Sequence, residues 1–391
     1  MTPAGRLQAA IEILDEVLAS ARSDGPPADA LVTRYFKTRR YAGSKDRRAV
    51  RELVFRAIRR SAEIPPSGRS VIIGLGEDEP ELLALFGEPR GPTPLEAGES
   101  GASAAAIPGW IEPELSPLLG RDEWPALLER APLDLRANVA RDSREALLTS
   151  FPGGAATPHS PWGIRLPPDS RVDDREEYAA GMFEVQDEGS QLIALACRPA
   201  DGLKMLDLCA GAGGKALALA AAAPGATILA ADVNRARLQR LAPRAQRAGA
   251  SIETRLLNPP RELDELEDWR EQADVVLVDA PCSGSGTWRR NPEGRWRLTP
   301  MRLDRLADTQ AHLLDMAASL VRPGGALVYA VCSILSREGA AQIERFLSNR
   351  SSWIVEEMPI AAGRPSGAGR LLTPAHDGTD GFFIARLGRP C

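Results

Sequence analysis

The spacing of apolar residues changes along this chain, and each change marks a different kind of structure. Leu7, Ile11, Leu14 and Leu18 recur at helical intervals, which predicts an amphipathic helix over residues 8–22, broken by Pro26-Pro27. Val50, Leu53, Val54, Ala57 and Ile58 make a second helical stripe. Between residues 87 and 109 the periodicity gives way to Gly, Pro, Ser and Ala, the composition of a long loop. Residues 110–130 are helical in parts, divided by Pro113, Pro117 and Pro125. Residues 133–139 read as a strand and 144–148 as a helix, so a small α/β unit is expected up to about Ala180.

From Gly181 onward short apolar runs alternate with helical patterns. Residues 204–208, 227–231, 252–256 and 274–279 are the predicted strands, and the unbroken apolar stretch Val275–Val278 reads as a strand covered on both faces. Helices are expected over 192–197, 216–223 and 235–247. A further helix starts at the cap Thr299-Pro300 and runs to Val321, and another follows Ser336 to about Ser348. Residues 326–331, 353–358 and 382–387 supply the last strands. The succession predicts a doubly wound, mostly parallel, Rossmann-like α/β fold. The expected organisation is a helical domain over 1–130, a small α/β connector over 131–180 and the doubly wound domain over 181–391.

Composition adds bounds. With 43% hydrophobic and 26% charged residues the chain has an ordinary globular balance. No apolar run reaches the ~18–20 residues of a membrane span. The first residues lead into an amphipathic pattern and not an apolar signal core, so a cytoplasmic protein without a membrane partner is expected. Cys197, Cys209, Cys282, Cys332 and Cys391 are odd in number and irregular in spacing. They suggest free thiols, with neither a disulfide framework nor a metal site. The net charge of −5 does not announce nucleic acid, but residues 34–60 carry eleven Lys or Arg against Asp46 and Glu52. Tyr35, Phe36 and Tyr41 are interleaved with them. That density suits a phosphate backbone, and Arg47, Arg48 and Arg51 are candidate RNA contacts.

Candidate chemistry gathers at the strand ends. Cys209, Ala210, Gly211, Ala212, Gly213, Gly214 and Lys215 form a Gly-rich turn between a strand and a helix, where backbone amides can approach a ligand closely. Asp232, at the end of the next strand, can accept two ribose hydroxyls. Loop and acid together suggest an adenosine-type cofactor. The turn is neither GxGxxG nor GxxxxGK[ST], and S-adenosylmethionine suits the downstream residues better than NAD. Asp279, Cys282 and Cys332 follow two further strands. A thiolate adding to carbon 6 of a pyrimidine makes carbon 5 nucleophilic toward a methyl sulfonium, and a carboxylic acid on the ring spreads the developing charge. A base must then remove the carbon 5 proton. His159, His312 and His376 lie on none of these strand-end loops.

The segments Gln186-Asp187-Glu188-Gly189-Ser190, Asp207 to Lys215, Asp279-Ala280-Pro281-Cys282-Ser283-Gly284-Ser285-Gly286-Thr287, Arg289-Arg290-Asn291-Pro292, Tyr329 to Ile334 and Asp380-Gly381-Phe382-Phe383 resemble the RNA 5-methylcytosine methyltransferases with a two-cysteine active site, in particular the bacterial ribosomal-RNA (Sun/Fmu) branch. The resemblance covers about residues 132–390, and 46–60 is similar to that branch's helical NusB-like RNA-binding domain. It implies a Rossmann-like S-adenosylmethionine-dependent methyltransferase domain. It implies that Cys332 is the covalent nucleophile and that Cys282 assists breakdown of the adduct. It further implies that Cys209 to Lys215, Asp232 and Asp279 line the S-adenosyl-L-methionine site, with Asn258 where relatives have an Asp. Ala212 and Val331 stand where relatives commonly have Pro and Thr. The target cytosine must leave its stack to reach the thiol. Beside the catalytic loop Arg289 and Arg290, with Arg295, Arg297, Arg302 and Arg305, form a second basic run suited to RNA. Trp288 and Trp296 either stack on bases or pack under the loop. The expected activity is carbon 5 methylation of cytosine in RNA, small-subunit ribosomal RNA favoured and tRNA second, by a monomer. A non-catalytic RNA-binding or ribosome assembly factor, and a DNA cytosine methyltransferase, are the alternatives.

Overall fold

The computed structural model describes residues 1–23, 25–168 and 170–391. They divide into two compact units: Met1–Leu115 with Gly120–Glu129 and Thr287–Pro300, and Ser116–Leu119 with Arg130–Gly286 and Met301–Cys391. These cuts differ from the expected boundaries. The stretch expected as a connector is part of the second unit, and the fourteen residues Thr287–Pro300 count with the first.

The first unit is built on helices α1 (Pro3–Arg22), α2 (Ala28–Lys37), α3 (Ser44–Arg60) and α4 (Gly68–Asp78). The expected first helix begins five residues earlier because Thr2 caps it, accepting from Gly5 N–H, with Pro3 at its first position. Leu7, Leu14, Val50, Val54 and Ile58 are fully buried and meet in one core. Trp296 completes that core, 5% exposed, and its indole N–H donates to Ser61 O at 2.9 Å. Beside it Arg295 donates to Ile58 O at 2.6 Å, Arg59 O at 3.1 Å and Ala106 O at 2.8 Å. The last carbonyls of a helix have no partner within the helix, and this guanidinium supplies one for α3. Burial, with Arg59 nearby, pulls the Arg295 pKa down to about 9.

The second unit holds two sheets. The smaller is antiparallel, in the order β2 (Ala155–Ala156), β3 (Gly163–Leu166), β1 (Leu133–Ala137), β4 (Phe183–Val185). The larger contains β5 (Lys204–Asp207), β6 (Thr227–Asp232), β7 (Glu253–Leu256), β8 (Ala273–Asp279), β9 (Val321–Val331), β10 (Ile354–Val355), β11 (Arg364–Ser366), β12 (Gly369–Leu372) and β13 (Phe382–Gly388). Its order is β11-β12-β13-β9-β8-β5-β6-β7, with β10 against β13. β5 to β9 are parallel, and β10 to β13 are antiparallel. The parallel half is as expected. The expected strand over 353–358 is reduced to Ile354–Val355, and the hairpin of β11 and β12 went unforeseen. The expected helix over 235–247 is two, Arg235–Leu238 and Leu241–Ala248. Pro243 explains the break, because a residue without an N–H is tolerated in a first turn and not in a helix interior. No described helix is long and apolar enough to cross a membrane.

Candidate active site

Parallel strands end on one edge, so the residues just past β5, β6, β8 and β9 share it. Register fixes their levels: Asp207 lies beside Ala230 and Leu277, and Asp279 beside Ala330. After β5 the chain turns through Leu208–Gly213 into the nine-residue helix Gly214–Ala222. Gly213 has φ +81, and a Cβ there would meet Leu241 at 2.1 Å, so the turn needs glycine at this position. The turn is braced from outside. Gly211 N–H donates to Asp232 Oδ2 at 2.7 Å. Arg244, paired with the buried Glu184 of β4, donates to Ala212 O at 2.6 Å. The fully buried Arg136 of β1 donates to Gly214 O at 2.7 Å and Gln186 Oε1 at 2.5 Å. The small sheet therefore serves the large one by fixing the carbonyls of the Gly-rich turn, leaving the amides at the helix start.

Asp232 is buried, and its second oxygen accepts from Asn234 N–H at 2.6 Å. Both carboxylate oxygens are thus oriented by backbone amides. Asp207 is 1% exposed, and among the described residues neither of its oxygens has a partner within hydrogen-bonding geometry. Burial pushes its pKa up to about 7, with Asp279 and Asp232 adding to the rise, while Lys215 and the Ala216 amide oppose it. Lys215 Nζ donates to Asp279 Oδ2 at 2.6 Å. Burial pulls the Lys215 pKa down, but the Asp279 charge and hydrogen bond, with Asp207 and Cys332, raise it more.

The two thiols meet. Cys282 Sγ and Cys332 Sγ are 3.2 Å apart, and both are free and partly buried. The Cys332 hydrogen bond, then burial, then the charge of Cys332 and of Glu338 push the Cys282 pKa well above its ordinary value. These surroundings favour the protonated form of Cys282, whose S–H can donate to the Cys332 sulfur. The loops that carry them are joined: Gly286 N–H donates to Cys332 O at 3.0 Å, and Gly381 N–H donates to Gly286 O at 2.8 Å. The other thiols differ. Burial raises Cys209 well above its ordinary value and Cys197 to about 12, and Cys391 is exposed.

Cys209 to Lys215, Asp232, Asp279, Cys282 and Cys332 thus share the carboxyl edge of the sheet. Asn258 follows β7 next to them but is exposed, its side chain donating to Glu265 at 3.0 Å. Arg47, Arg48 and Arg51 lie exposed on α3, although Arg51 is paired with Asp29 at 2.8 Å. The second basic run needs correction. Arg289 is 6% exposed and Arg290 half-buried, while Arg295 and Arg297 donate to backbone carbonyls of the first unit. Trp288 and Trp296 are 1% and 5% exposed, so they pack and do not present a stacking face. Sequence reasoning missed Glu338 and Gln310, both fully buried beside the thiol loops. The only available signal was that Glu338 is the first acid after Cys332.

A family model described as 16S rRNA methyltransferase RsmB/F matches residues 193–388. Ribosomal RNA small subunit methyltransferase B of Salmonella arizonae is 33% identical over 291 residues, 72% of this chain and 66% of that protein. The protein of the same name from Xylella fastidiosa is 34% identical over 299 residues, 73% of this chain and 68% of that protein. The chain spans about two thirds of the length of these curated relatives. Among solved structures, NSun6 from Pyrococcus horikoshii with SFG superposes with a TM-score of 0.62 at 18% identity, over 70% of this chain and 95% of that one, a likeness of fold.

Proposed function

Because this chain belongs to the 16S rRNA methyltransferase RsmB/F family, we propose that it is the enzyme that transfers a methyl group from S-adenosylmethionine to carbon 5 of a cytosine in small-subunit ribosomal RNA, in the cytoplasm, through a covalent cysteine adduct. The observation that carries the reading is the pair of thiols at 3.2 Å, on the edge that also holds the Gly-rich turn. The turn suits the cofactor. Its carbonyls are taken up by Arg136 and Arg244, its amides head a nine-residue helix, and Asp232 is oriented against it. S-adenosylmethionine supplies an electrophilic methyl group when bound.

The residues of the chain divide the remaining work. Cys332 adds to carbon 6 of the flipped cytosine, forming a carbon–sulfur bond and moving the ring π electrons toward carbon 5. Asp279, acting as an acid, donates its proton to the ring nitrogen and so neutralises the charge that develops there, and Lys215 holds the side chain in place through its other contact. After methylation a water molecule takes the proton from carbon 5, its bonding electrons re-form the ring double bond, and the carbon–sulfur bond breaks with its electron pair leaving on the Cys332 sulfur. Cys282, kept protonated by its surroundings, attends this release step next to the departing sulfur. The exposed arginines Arg47 and Arg48 on α3 contribute phosphate contacts.

Trapping tests the reading. Cys282→Ala incubated with ribosomal RNA and cofactor accumulates a covalent RNA–protein adduct on a denaturing gel. Adding Cys332→Ala removes it, and Cys332→Ala alone lowers methyl transfer by at least ~10³-fold. No adduct, with full transfer by Cys332→Ala, sinks the covalent mechanism. Mapping 5-methylcytosine in cellular RNA with and without the protein identifies the substrate, and a lost mark in tRNA alone overturns the ribosomal assignment.

A further inference from the structure

The geometry points to Glu338 as the residue that positions the two thiols against each other, an inference that rests on the two-thiol reading above. Glu338 lies between β9 and the helix Ala340–Asn349 and is fully buried. Its Oε1 accepts from the Ser283 backbone N–H at 2.8 Å and from Gln310 Nε2 at 3.0 Å. Its Oε2 accepts from the hydroxyls of Ser283 and Ser333. Ser283 directly follows Cys282, and Ser333 directly follows Cys332. One carboxylate therefore holds the neighbour of each thiol. Gln310 also donates to Pro281 O at 3.0 Å, so Cys282 is fixed from the residue before it as well as the residue after. Tyr329 of β9 donates to the Glu338 backbone carbonyl at 2.7 Å, which fixes the carboxylate's own stem.

The alternative is that the strands alone set the thiol distance. The ladder between β8 and β9 runs to Asp279 beside Ala330, with a last bond from Ala280 N–H to Ala330 O at 2.9 Å. Cys282 lies beyond it, in a loop, where register no longer dictates position. There the cross-connections include Gly286 to Cys332 O, Ile334 N–H to Ser285 Oγ at 3.1 Å, the Ser283–Ser333 and Ser285–Ser333 hydroxyl contacts at 3.3 and 3.0 Å, and the Glu338 carboxylate, which alone of these also takes the Ser283 backbone and Gln310. All four groups on that carboxylate can donate, and a carboxylate without its proton is acceptor-only. A charged acceptor in a buried place makes each such bond stronger than a neutral pair. Glu338 touches neither sulfur and is a positioning residue. It leaves the thiols free to react while setting their separation.

Phenylarsine oxide tests the positioning without RNA or cofactor. Its arsenic bonds to two thiols that lie together, and its oxygen leaves as water with the two thiol protons. The intact protein should capture one equivalent, and Cys282→Ala or Cys332→Ala should abolish that capture. Glu338→Ala should weaken capture by at least ~10-fold and lower kcat for methyl transfer in parallel, with KM for RNA unchanged, since the lost bonds are to a charged group. Glu338→Gln should recover both to within ~3-fold. Its carbonyl still serves Ser283 N–H and Gln310, and its amide meets hydroxyls that can turn to accept. Should Glu338→Ala fail to fold, Ser333→Ala, which removes one hydroxyl from the same carboxylate, carries the test with a smaller loss in the same direction. Unchanged capture and unchanged kcat in a folded Glu338→Ala overturn the inference. Capture that depends on Glu338 in a protein that transfers no methyl group supports the positioning role and overturns the methyltransferase reading instead.

Discussion

Asp207 is the residue whose surroundings most constrain the protein's behaviour with pH. Its folded pKa is raised by burial to about 7, against the ordinary value of 3.8. An acid raised on folding adds stability below its unfolded pKa, and that contribution is lost as pH rises through the folded one. In the protein without cofactor, stability should therefore fall between about pH 4 and pH 7 by up to ~4 kcal/mol from this group. Asp207→Asn should flatten that slope in urea melts across the range, and an unchanged slope would rule the account out. The thiols and Asp279 were legible before any coordinates, because a short apolar run followed by a small-residue loop already puts a residue at a strand end. Glu338 was not legible. A lone glutamate reads as surface, and its burial depends on donors from Ser283, Gln310 and Ser333, which are brought together only by folding.

At the scale of elements, the junction of three loops depends on a close approach. A Cβ on Gly286 would lie 1.9 Å from Gly381 O and 2.6 Å from its carbonyl carbon. Gly286→Ala should cost at least ~2 kcal/mol in a denaturant melt and reduce methyl transfer, because the same glycine donates to Cys332 O. Trp296→Ala should destabilise the first unit by about 3–5 kcal/mol, read from the loss of helical signal on heating. The inner parallel strands were legible because their buried stretches are largely apolar, while the partly exposed, polar β7 was legible only from its place in the succession. The hairpin of β11 and β12 was not, because Arg364, Pro365, Ser366 and Gly369 carry neither alternation nor apolar run. Residues 353–358 read as a full strand, but two residues suffice there, since Ile354 and Val355 meet only Gly388 and Leu387.

For the molecule as a whole, RNA binding should be driven by charge on α3 and not by Arg289, Arg295 and Arg297, which are buried or bonded to backbone carbonyls. Replacing Arg47 and Arg48 together by Ala should weaken binding evenly across RNA sequences and reduce the salt slope of log K by roughly 1–2. An unchanged slope would remove these side chains from the interface. Arg289, Arg295 and Arg297 looked equivalent in sequence because charge counts do not reveal how deeply a guanidinium is buried or what it bonds to. The order of strands and helices over the second half was readable from periodicity. The membership of Thr287–Pro300 in the first unit was not, since no local pattern says that a residue 237 positions away supplies the cap of α3.

That membership bears on how the protein is made. A chain leaves the ribosome from its N-terminus, at about 5–20 residues per second. The helices that Trp296 and Arg295 complete are therefore finished roughly 12–50 s before those residues exist. During synthesis the first unit must wait with an open seat under α3, and a fragment ending before Thr287 never fills it. The last stretch to join its core is the one that directly follows the loop of Cys282.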